Sequence, residues 1–203
     1  MITQLQFQIE KIADGIAENS YAIVDHFLSV SEVDDILNTD AFKNAKLQFK
    51  KAGIGKQKDK QINEGIRGDY IQWIEPQSAT APIALYLNRL QELARYLNRS
   101  LFLSLKDSEI HMTLYPIGTF YKRHLDQFKS DDHRKISIIC YLNKDWMQEE
   151  GGQLVLHLPE EKKEILPSAG KIVCFRSDLI EHEVMPATRE RLSVTGWLVD
   201  RVL

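Results

Sequence analysis

The segment Arg-Leu-Ser-Val-Thr-Gly-Trp-Leu-Val at residues 191–199 alternates polar and apolar side chains, which is the pattern of a half-buried β-strand. Other segments with this period of two come before it, each bounded by turn residues: 108–115, 135–143, 153–158 and 171–175. The intervals between them are too short for repeated helical crossovers, so we expect mostly antiparallel sheets. The sequence therefore predicts a double-stranded β-helix, or jelly roll, from residue 101 onward.

The first hundred residues show a different period. Apolar residues recur every three or four positions in 3–18, 31–48 and 78–99, which predicts three helices, and residues 21–27 read as a short strand. Residues 49–68 are polar, rich in lysine and interrupted by glycine. This composition and length predict a surface loop with a functional role. We expect a single α+β domain over residues 1–203. Its first part, residues 1–100, would supply the helices that pack on one face of the sheet and the substrate loop, and residues 101–203 would form the catalytic β core.

Composition narrows the class of protein. With 26 Lys and Arg against 29 Asp and Glu, the formal charge of −3 offers no basic excess for nucleic acid or an anionic membrane. Cys140 and Cys174 are too few for a disulfide framework, and each alternates with isoleucine, which predicts buried thiols. No apolar run reaches the roughly 20 residues of a membrane span, and the N-terminus does not resemble a signal peptide. These features predict a cytoplasmic protein with neither a membrane nor a nucleic-acid partner.

Three residues could hold a metal ion. His124 and Asp126 are two positions apart and so lie on one face of an extended segment, and His182 follows after the next strands. Two histidines and one carboxylate are typical of non-haem Fe(II) sites, which keep coordination positions open. A closed structural zinc site would need a fourth ligand.

An anion site is predicted beside the metal. Alternation places Arg191, Ser193, Thr195 and Trp197 on one face of the last strand, and a polar face that points inward needs a ligand. The planar fork of Arg191 suits a carboxylate, and Tyr141, on the non-apolar side of its own strand, could donate a hydroxyl to the same anion. Iron together with a carboxylate clamp indicates 2-oxoglutarate.

Residues 66–203 also resemble a known family, the prolyl hydroxylases of the hypoxia-inducible-factor type, which has bacterial members. The resemblance rests on stretches spread along the chain: Ile66-Arg-Gly-Asp-Tyr-Ile-Gln-Trp-Ile-Glu75, Tyr115-Pro, Gly118-Thr-Phe-Tyr-Lys-Arg-His-Leu-Asp126, Tyr141-Leu-Asn-Lys-Asp-Trp146, Gly151-Gly152, and His182-Glu-Val with Arg191 nine residues later.

The resemblance implies an Fe(II)- and 2-oxoglutarate-dependent dioxygenase with a jelly-roll core. It implies that iron binds to His124, Asp126 and His182, that Arg191 and Tyr141 hold the distal carboxylate of 2-oxoglutarate, and that Tyr115 lies beside its other end. The implied reaction is peptidyl-prolyl 4-hydroxylation with O2 as co-substrate and ascorbate (vitamin C) as a possible reductant. The protein substrate contains the target proline, with elongation factor Tu as one candidate. The implied substrate residues are Arg67, Asp69, Arg134 and Trp197.

Other functions stay open at this point. They are hydroxylation of a small molecule or free amino acid, and metal binding without turnover. A nucleic-acid dealkylase would be expected to carry a second arginine six residues after Arg191, where Trp197 stands, and a zinc hydrolase would not explain Arg191 and Tyr141. Trp197 could pack in the core or line a pocket.

The remaining polar features have simpler predictions. His111 is expected in a pocket wall, not among the metal ligands, and His26, His133 and His157 are expected at the surface. An exposed ion pair is expected between Asp69 and Arg67 or Arg134. Residues 149–152 and 160–164 are predicted as hairpin turns with solvated charges.

Overall fold

Strands of two sheets form the body of the protein, whose computed structural model describes residues 2–53, 65–127 and 132–202. The strands are Tyr21–Val24 (β1), Lys50–Lys51 (β2), Tyr70–Trp73 (β3), Asp107–Tyr115 (β4), Tyr121–His124 (β5), Arg134–Tyr141 (β6), Leu154–His157 (β7), Lys162–Ile165 (β8), Ile172–Arg176 (β9), Glu181–Val184 (β10) and Arg191–Val199 (β11). The helices are Gln4–Asn19 (α1), Val30–Leu37 (α2), Asp40–Lys43 (α3), Ala45–Gln48 (α4) and Ala81–Leu101 (α5).

The larger sheet has the order β1-β9-β6-β11-β4-β3-β2, the smaller sheet has the order β5-β10-β7-β8, and neighbouring strands run antiparallel. The two sheets face each other across an apolar layer that includes Ile139, Leu156 and Phe175. This arrangement confirms the predicted jelly roll with mostly antiparallel strands.

The helices cover the other face of the larger sheet, as predicted. The helix α1 begins at the N-cap Thr3, whose hydroxyl accepts a hydrogen bond from the backbone of Gln6 (3.2 Å). The buried stripes of α1 and α5 belong to one hydrophobic core with alternate residues of β6, among them Ile136 and Ile138. Cys140 belongs to the same core, as does Cys174; both thiols are free and fully buried, and burial raises their pKa. No helix in the described part of the chain is long and apolar enough to cross a membrane.

The single helix expected over 31–48 is wrong in detail. Thr39 is in an extended conformation between α2 and α3, and its hydroxyl donates to the carbonyl of Ile36 (2.7 Å). A threonine side chain that binds the preceding helical turn competes with continued helix. The segment therefore folds as α2, α3 and α4.

Several short strands were not expected. Within the predicted loop 49–68, β2 pairs with β3, while residues 54–64 lie outside the described residues. The hairpin turn predicted at 160–164 exists but lies earlier: residues 158–161 connect β7 to β8, so Glu160 and Glu161 are in the turn, whereas Lys162–Ile165 is the edge strand β8. Residues 149–152 do form a turn, but not a hairpin, because they connect β6 of the larger sheet to β7 of the smaller one.

The three central strands β4, β11 and β6 bring distant parts of the chain into rows. Every second set of paired residues across these strands faces the smaller sheet, so consecutive rows on that face are two residues apart. We call them the inner rows; they are Tyr115 and Arg191, then Thr113, Ser193 and Tyr141, then His111, Thr195 and Ile139, then Glu109, Trp197 and Ser137.

Candidate active site

The three predicted metal ligands lie together between β5 and β10. His124 ends β5 and pairs in register with His182 of β10, and Asp126 follows two residues after His124. The Nε2 atom of His124 lies 3.6 Å from Oδ1 of Asp126, and Nε2 of His182 lies 3.6 Å from its Oδ2. Ligand atoms of the three residues are all within 4.8 Å of one another. The sequence therefore identified a real cluster.

Each imidazole is oriented by its second nitrogen. The Nδ1 atom of His124 lies 2.6 Å from the carbonyl oxygen of Lys122, and Nδ1 of His182 lies 3.3 Å from that of Ile180. A carbonyl only accepts, so Nδ1 carries the hydrogen and Nε2 presents its lone pair to the cluster. Burial also lowers the pKa of His182 to about 4, which keeps this ring neutral near pH 7.

Asp126 is held by a pair of buried serines. The hydroxyl of Ser137 donates to Oδ2 of Asp126 (2.7 Å) and lies 2.9 Å from the hydroxyl of Ser177. Burial alone raises the pKa of Asp126, but its interactions with His182, His124 and Ser137 outweigh burial and hold that pKa well below the usual range. The carboxyl group is therefore ionised.

Two imidazole nitrogens and one carboxylate that face a common point form the donor set of non-haem Fe(II) sites, with positions left for other ligands. Aromatic contacts hold the rings in place: Tyr121 stacks on His124 with 3.6 Å between ring centres, and Phe175 lies 4.7 Å from His182. The residues present fit a divalent iron ion.

The predicted anion clamp lies in the first two inner rows. The guanidinium carbon of Arg191 is 4.3 Å from the ring centre of Tyr115 and 5.6 Å from that of Tyr141. Arg191 is 3% exposed and donates one hydrogen bond to the carbonyl of Gly152 (3.1 Å). Within the described residues, neither Nε of Arg191 nor the hydroxyl of Tyr141 has a hydrogen-bond partner.

Buried donors without partners are rare, because each costs about 1–3 kcal/mol. Burial raises the pKa of Tyr141 to about 12 and also raises the pKa of Tyr115, so both hydroxyls are protonated donors at neutral pH. A cation and protonated phenols in one buried place fit a carboxylate that arrives from outside the chain.

The glycine pair Gly151-Gly152 shapes the end of this clamp. Both residues have positive φ values, 72° and 71°, which side chains rarely tolerate. A Cβ atom on Gly152 would also come within 3.0 Å of the ring of Trp146. The pair thereby allows the carbonyl of Gly152 to reach Arg191.

The predicted substrate residues separate into two groups. Arg67 and Asp69 form an ion pair, with Nη2 of Arg67 2.8 Å from Oδ2 of Asp69, and both line the same cavity as the metal cluster and Arg191. Asp69 is 1% exposed, so the expectation of an exposed pair is wrong. The guanidinium of Arg67 also lies 4.7 Å from the ring centre of Tyr121.

Arg134 belongs to a second group at the far end of the inner rows. It forms an ion pair with Glu109 (2.8 Å), which also bonds His133 (3.1 Å), and its guanidinium carbon lies 3.5 Å from the ring of Trp197. Trp197 lines the cavity, whereas Arg134 does not. A direct contact between Arg134 and a substrate stays a prediction.

The histidine predictions are partly wrong. His111 is buried in the cavity wall as expected, with its ring 4.9 Å from Trp73 and 5.6 Å from Trp197, and His26 is exposed. His133, however, is buried against Glu109, and the side chain of His157 is only 7% exposed because it bonds Glu183 (2.9 Å). Both of these histidines have carboxylate partners on other strands.

Sequence reasoning also missed residues of the site. Ser137 and Ser177 hold the carboxylate, Tyr121 stacks on a metal ligand, and Thr113 lines the cavity between His111 and Tyr115. A signal existed for Thr113, because it alternates with Tyr115 on a predicted strand. None existed for Ser177, which reaches Asp126 only through Ser137.

Comparison with known proteins gives one coherent result. Residues 110–199 match the family model of the 2OG-Fe(II) oxygenase superfamily. The crystal structure of a Pseudomonas putida prolyl-4-hydroxylase is 37% identical, with a TM-score of 0.86, and the match covers 96% of this chain and 100% of that one.

Two animal proteins extend the comparison. A Trichoplax adhaerens prolyl hydroxylase, solved in complex with a hypoxia inducible factor oxygen degradation domain peptide fragment, is 26% identical, with a TM-score of 0.84 over 98% of this chain and 94% of that one. Human Egl nine homolog 1 is 30% identical over 97% of this chain and 47% of its own length, so this chain spans about half of that relative.

Proposed function

Because the chain belongs to the 2OG-Fe(II) oxygenase superfamily and, within it, to the prolyl hydroxylases, we propose that it is a peptidyl-prolyl 4-hydroxylase. It would use Fe(II), 2-oxoglutarate and O2 to hydroxylate a proline in a protein substrate. The observation that carries the proposal is that the metal cluster and Arg191 line one cavity. A binding module without turnover would need no oxoacid clamp beside its metal.

In this proposal His124, Asp126 and His182 hold the iron. When bound, Fe(II) supplies the redox chemistry that couples O2 and 2-oxoglutarate to the oxidation of a C–H bond. The chain's own contribution is to fix the ligands: the carbonyls of Lys122 and Ile180 set the imidazole tautomers, and Ser137 orients the carboxylate.

The second contribution is to position the oxoacid. Arg191 offers Nε to the distal carboxylate while Gly152 holds one of its Nη atoms, and Tyr141 adds a hydroxyl donor. The ring of Tyr115 lies against the guanidinium of Arg191, and its protonated hydroxyl can donate to the other end of 2-oxoglutarate. Buried walls on every inner row exclude water, which strengthens these hydrogen bonds.

The proposed substrate is a polypeptide. Arg67, Asp69 and Trp197 line the cavity beside the metal cluster, and they would contact the chain around the target proline. Arg134 would act from the far end of the inner rows, where it lies against Trp197. The predicted substrate loop 49–68 remains part of the proposal, and its residues 54–64 lie outside the described residues. The Trichoplax adhaerens relative, which binds a peptide fragment, supports this substrate class. Elongation factor Tu is a candidate substrate, the cytoplasm is the proposed location, and ascorbate is the proposed reductant.

The experiment is an unbiased search for the product. Cell lysate is incubated with the protein, Fe(II), 2-oxoglutarate and ascorbate, and its peptides are searched by mass spectrometry for one added oxygen on proline. The matched controls are the His182→Ala variant and a reaction without 2-oxoglutarate. We expect one or few proline sites that need both the intact cluster and the oxoacid.

Two further measurements on the same reactions separate the alternatives: a search of the small-molecule fraction for an added oxygen, and an assay of succinate release. Hydroxylation of a free amino acid or small molecule, with no modified protein, would replace the proposed substrate class. Iron binding with no succinate release under any condition would leave a metal-binding module. Either result would overturn the proposed function.

A further inference from the structure

Thr113 carries a buried hydroxyl group that the proposed metal site and clamp do not use. It lies in the middle of β4, is 2% exposed, and lines the cavity between His111 and Tyr115. Among the described residues, its Oγ1 atom has no hydrogen-bond partner. A hydroxyl that is removed from water without a hydrogen-bond partner destabilises the folded chain, so a buried unpaired hydroxyl at a cavity wall calls for a ligand.

The residues around Thr113 indicate which kind of ligand its hydroxyl would bind. In its inner row, Ser193 already bonds Thr195 (2.9 Å between hydroxyl oxygens), whereas the hydroxyl of Tyr141 has no partner. The adjacent row holds Arg191, whose Nε also has no partner. Thr113 therefore belongs to a set of unpaired donors on adjoining rows around one cation.

We propose that Thr113 donates a hydrogen bond to a carboxylate oxygen of 2-oxoglutarate and is a further binding residue of this site. The inference rests on the proposed function, since it takes 2-oxoglutarate as the ligand. A carboxylate has about four acceptor positions, so Arg191 and Tyr141 leave room for another donor. The β-branched side chain has few rotamers in a strand, so it is ordered before the oxoacid arrives.

The experiment separates ligand binding from packing. The Thr113→Val substitution keeps the shape of the side chain and removes only the donor. In protein loaded with Mn(II), calorimetric titration with 2-oxoglutarate should show a Kd about tenfold higher than in the wild type, the effect of one hydrogen bond to a charged group. The melting temperature of this variant without ligand should be equal or higher, because an unpaired buried hydroxyl has been removed.

Two further variants act as controls. Thr113→Ser keeps the hydroxyl and should restore most of the affinity. Thr39→Val makes the same change at a buried threonine whose hydroxyl donates to Ile36, so it should lower the melting temperature and leave the Kd unchanged. In turnover, Thr113→Val should raise the KM for 2-oxoglutarate and leave kcat at saturation near the wild-type value.

The possible failures are distinguishable. If the wild type binds 2-oxoglutarate and hydroxylates proline while Thr113→Val has an unchanged Kd, then Thr113 only packs and this inference alone is wrong. If Thr113→Ser is as weak as Thr113→Val, shape and not the donor matters, and the inference is again wrong. If the wild type shows no saturable binding of 2-oxoglutarate, the proposed function and this inference fall together.

Discussion

Replacing Arg191 by methionine tests the anion clamp directly. The substitution keeps an unbranched apolar stem between Tyr115 and Tyr141 but removes the cation and its fork of donors. A hydrogen bond to a charged group contributes about 1.5–3 kcal/mol, so the Kd for 2-oxoglutarate should rise about ten- to a hundredfold. Metal affinity should stay within about a factor of two, because the side chain of Arg191 hydrogen-bonds Gly152 and lies against Tyr115 and Tyr141, none of which is a predicted metal ligand.

The same substitution has a second, independent consequence. It leaves the carbonyl of Gly152 without the donor it has in the folded protein. An unpaired buried carbonyl costs about 1–3 kcal/mol, and 1 kcal/mol shifts the melting temperature of a domain of this size by about 2–4 °C. Because the substitution also removes the unpaired Nε of Arg191, part of this cost is offset, and the melting temperature should fall by no more than about 2–4 °C.

The assay is titration of 2-oxoglutarate into Mn(II)-loaded protein, with a melting curve for each variant. Arg189→Met is the matched control: Arg189 lies two residues away, but its side chain is 40% exposed and it pairs with Glu150. This control should leave the Kd unchanged. An Arg191→Met variant with wild-type affinity for 2-oxoglutarate would refute the clamp, whatever happened to its stability.

The remaining predictions concern the metal cluster and the substrate side. His182→Ala should abolish turnover and weaken Mn(II) binding while the domain stays folded by circular dichroism; undiminished turnover would rule it out as a ligand. Ser137→Ala removes the donor to Asp126 and should weaken Mn(II) binding about ten- to a hundredfold in an equilibrium titration; an unchanged metal affinity would show that the hydrogen bond is only structural. Arg134→Ala should impair peptide hydroxylation and spare peptide-independent succinate release, and equal loss of both would contradict a role at the substrate. Asp69→Ala should impair peptide hydroxylation and also lower stability by about 3–5 kcal/mol, since it leaves Arg67 unpaired in a buried place; a melting temperature equal to that of the wild type would contradict the buried pair.

The core of the jelly roll was predictable because its strands are long and alternate between an apolar face and a face that lines the cavity. In β4, β6 and β11, eight or nine residues alternate between two different environments, and that pattern identifies both the strand and the inward face. Arg191 and Tyr141 were assigned to the cavity side in this way. The metal cluster could be predicted from the short motif His124-Leu-Asp126 and one later histidine, His182.

Short polar strands could not be predicted in the same way. The edge strand β8 has the sequence Lys-Lys-Glu-Ile, and three of its residues are exposed. Charged residues protect a sheet edge from further pairing, but in the sequence the same composition resembles a solvated turn. The strands β5 and β10 are four residues each and contain metal-cluster histidines, so their composition reflects the site more than the sheet.

Hydrogen-bond and ion-pair partners that are far apart in the chain could not be predicted from the sequence either. His133 and His157 resemble surface residues until Glu109 and Glu183 are brought beside them by strands far away in the chain. The same holds for Ser177, which neighbours Ser137 across 40 residues. Local patterns report burial and periodicity, whereas these pairings depend on register between strands.

The central place of β11 has a consequence for how the protein is made. It is the last of the described strands, yet it lies between β4 and β6, which are not neighbours in the larger sheet. Until residues 191–199 leave the ribosome, the larger sheet is split into two parts, and neither Arg191 nor Trp197 is present. The closing step must also join β4 to a strand more than seventy residues later, the kind of long-range pairing that folds slowly. A nascent chain therefore carries His124 and His182 before Arg191 and Trp197 have been made, and the cavity wall is complete only once β11 has paired with β4 and β6.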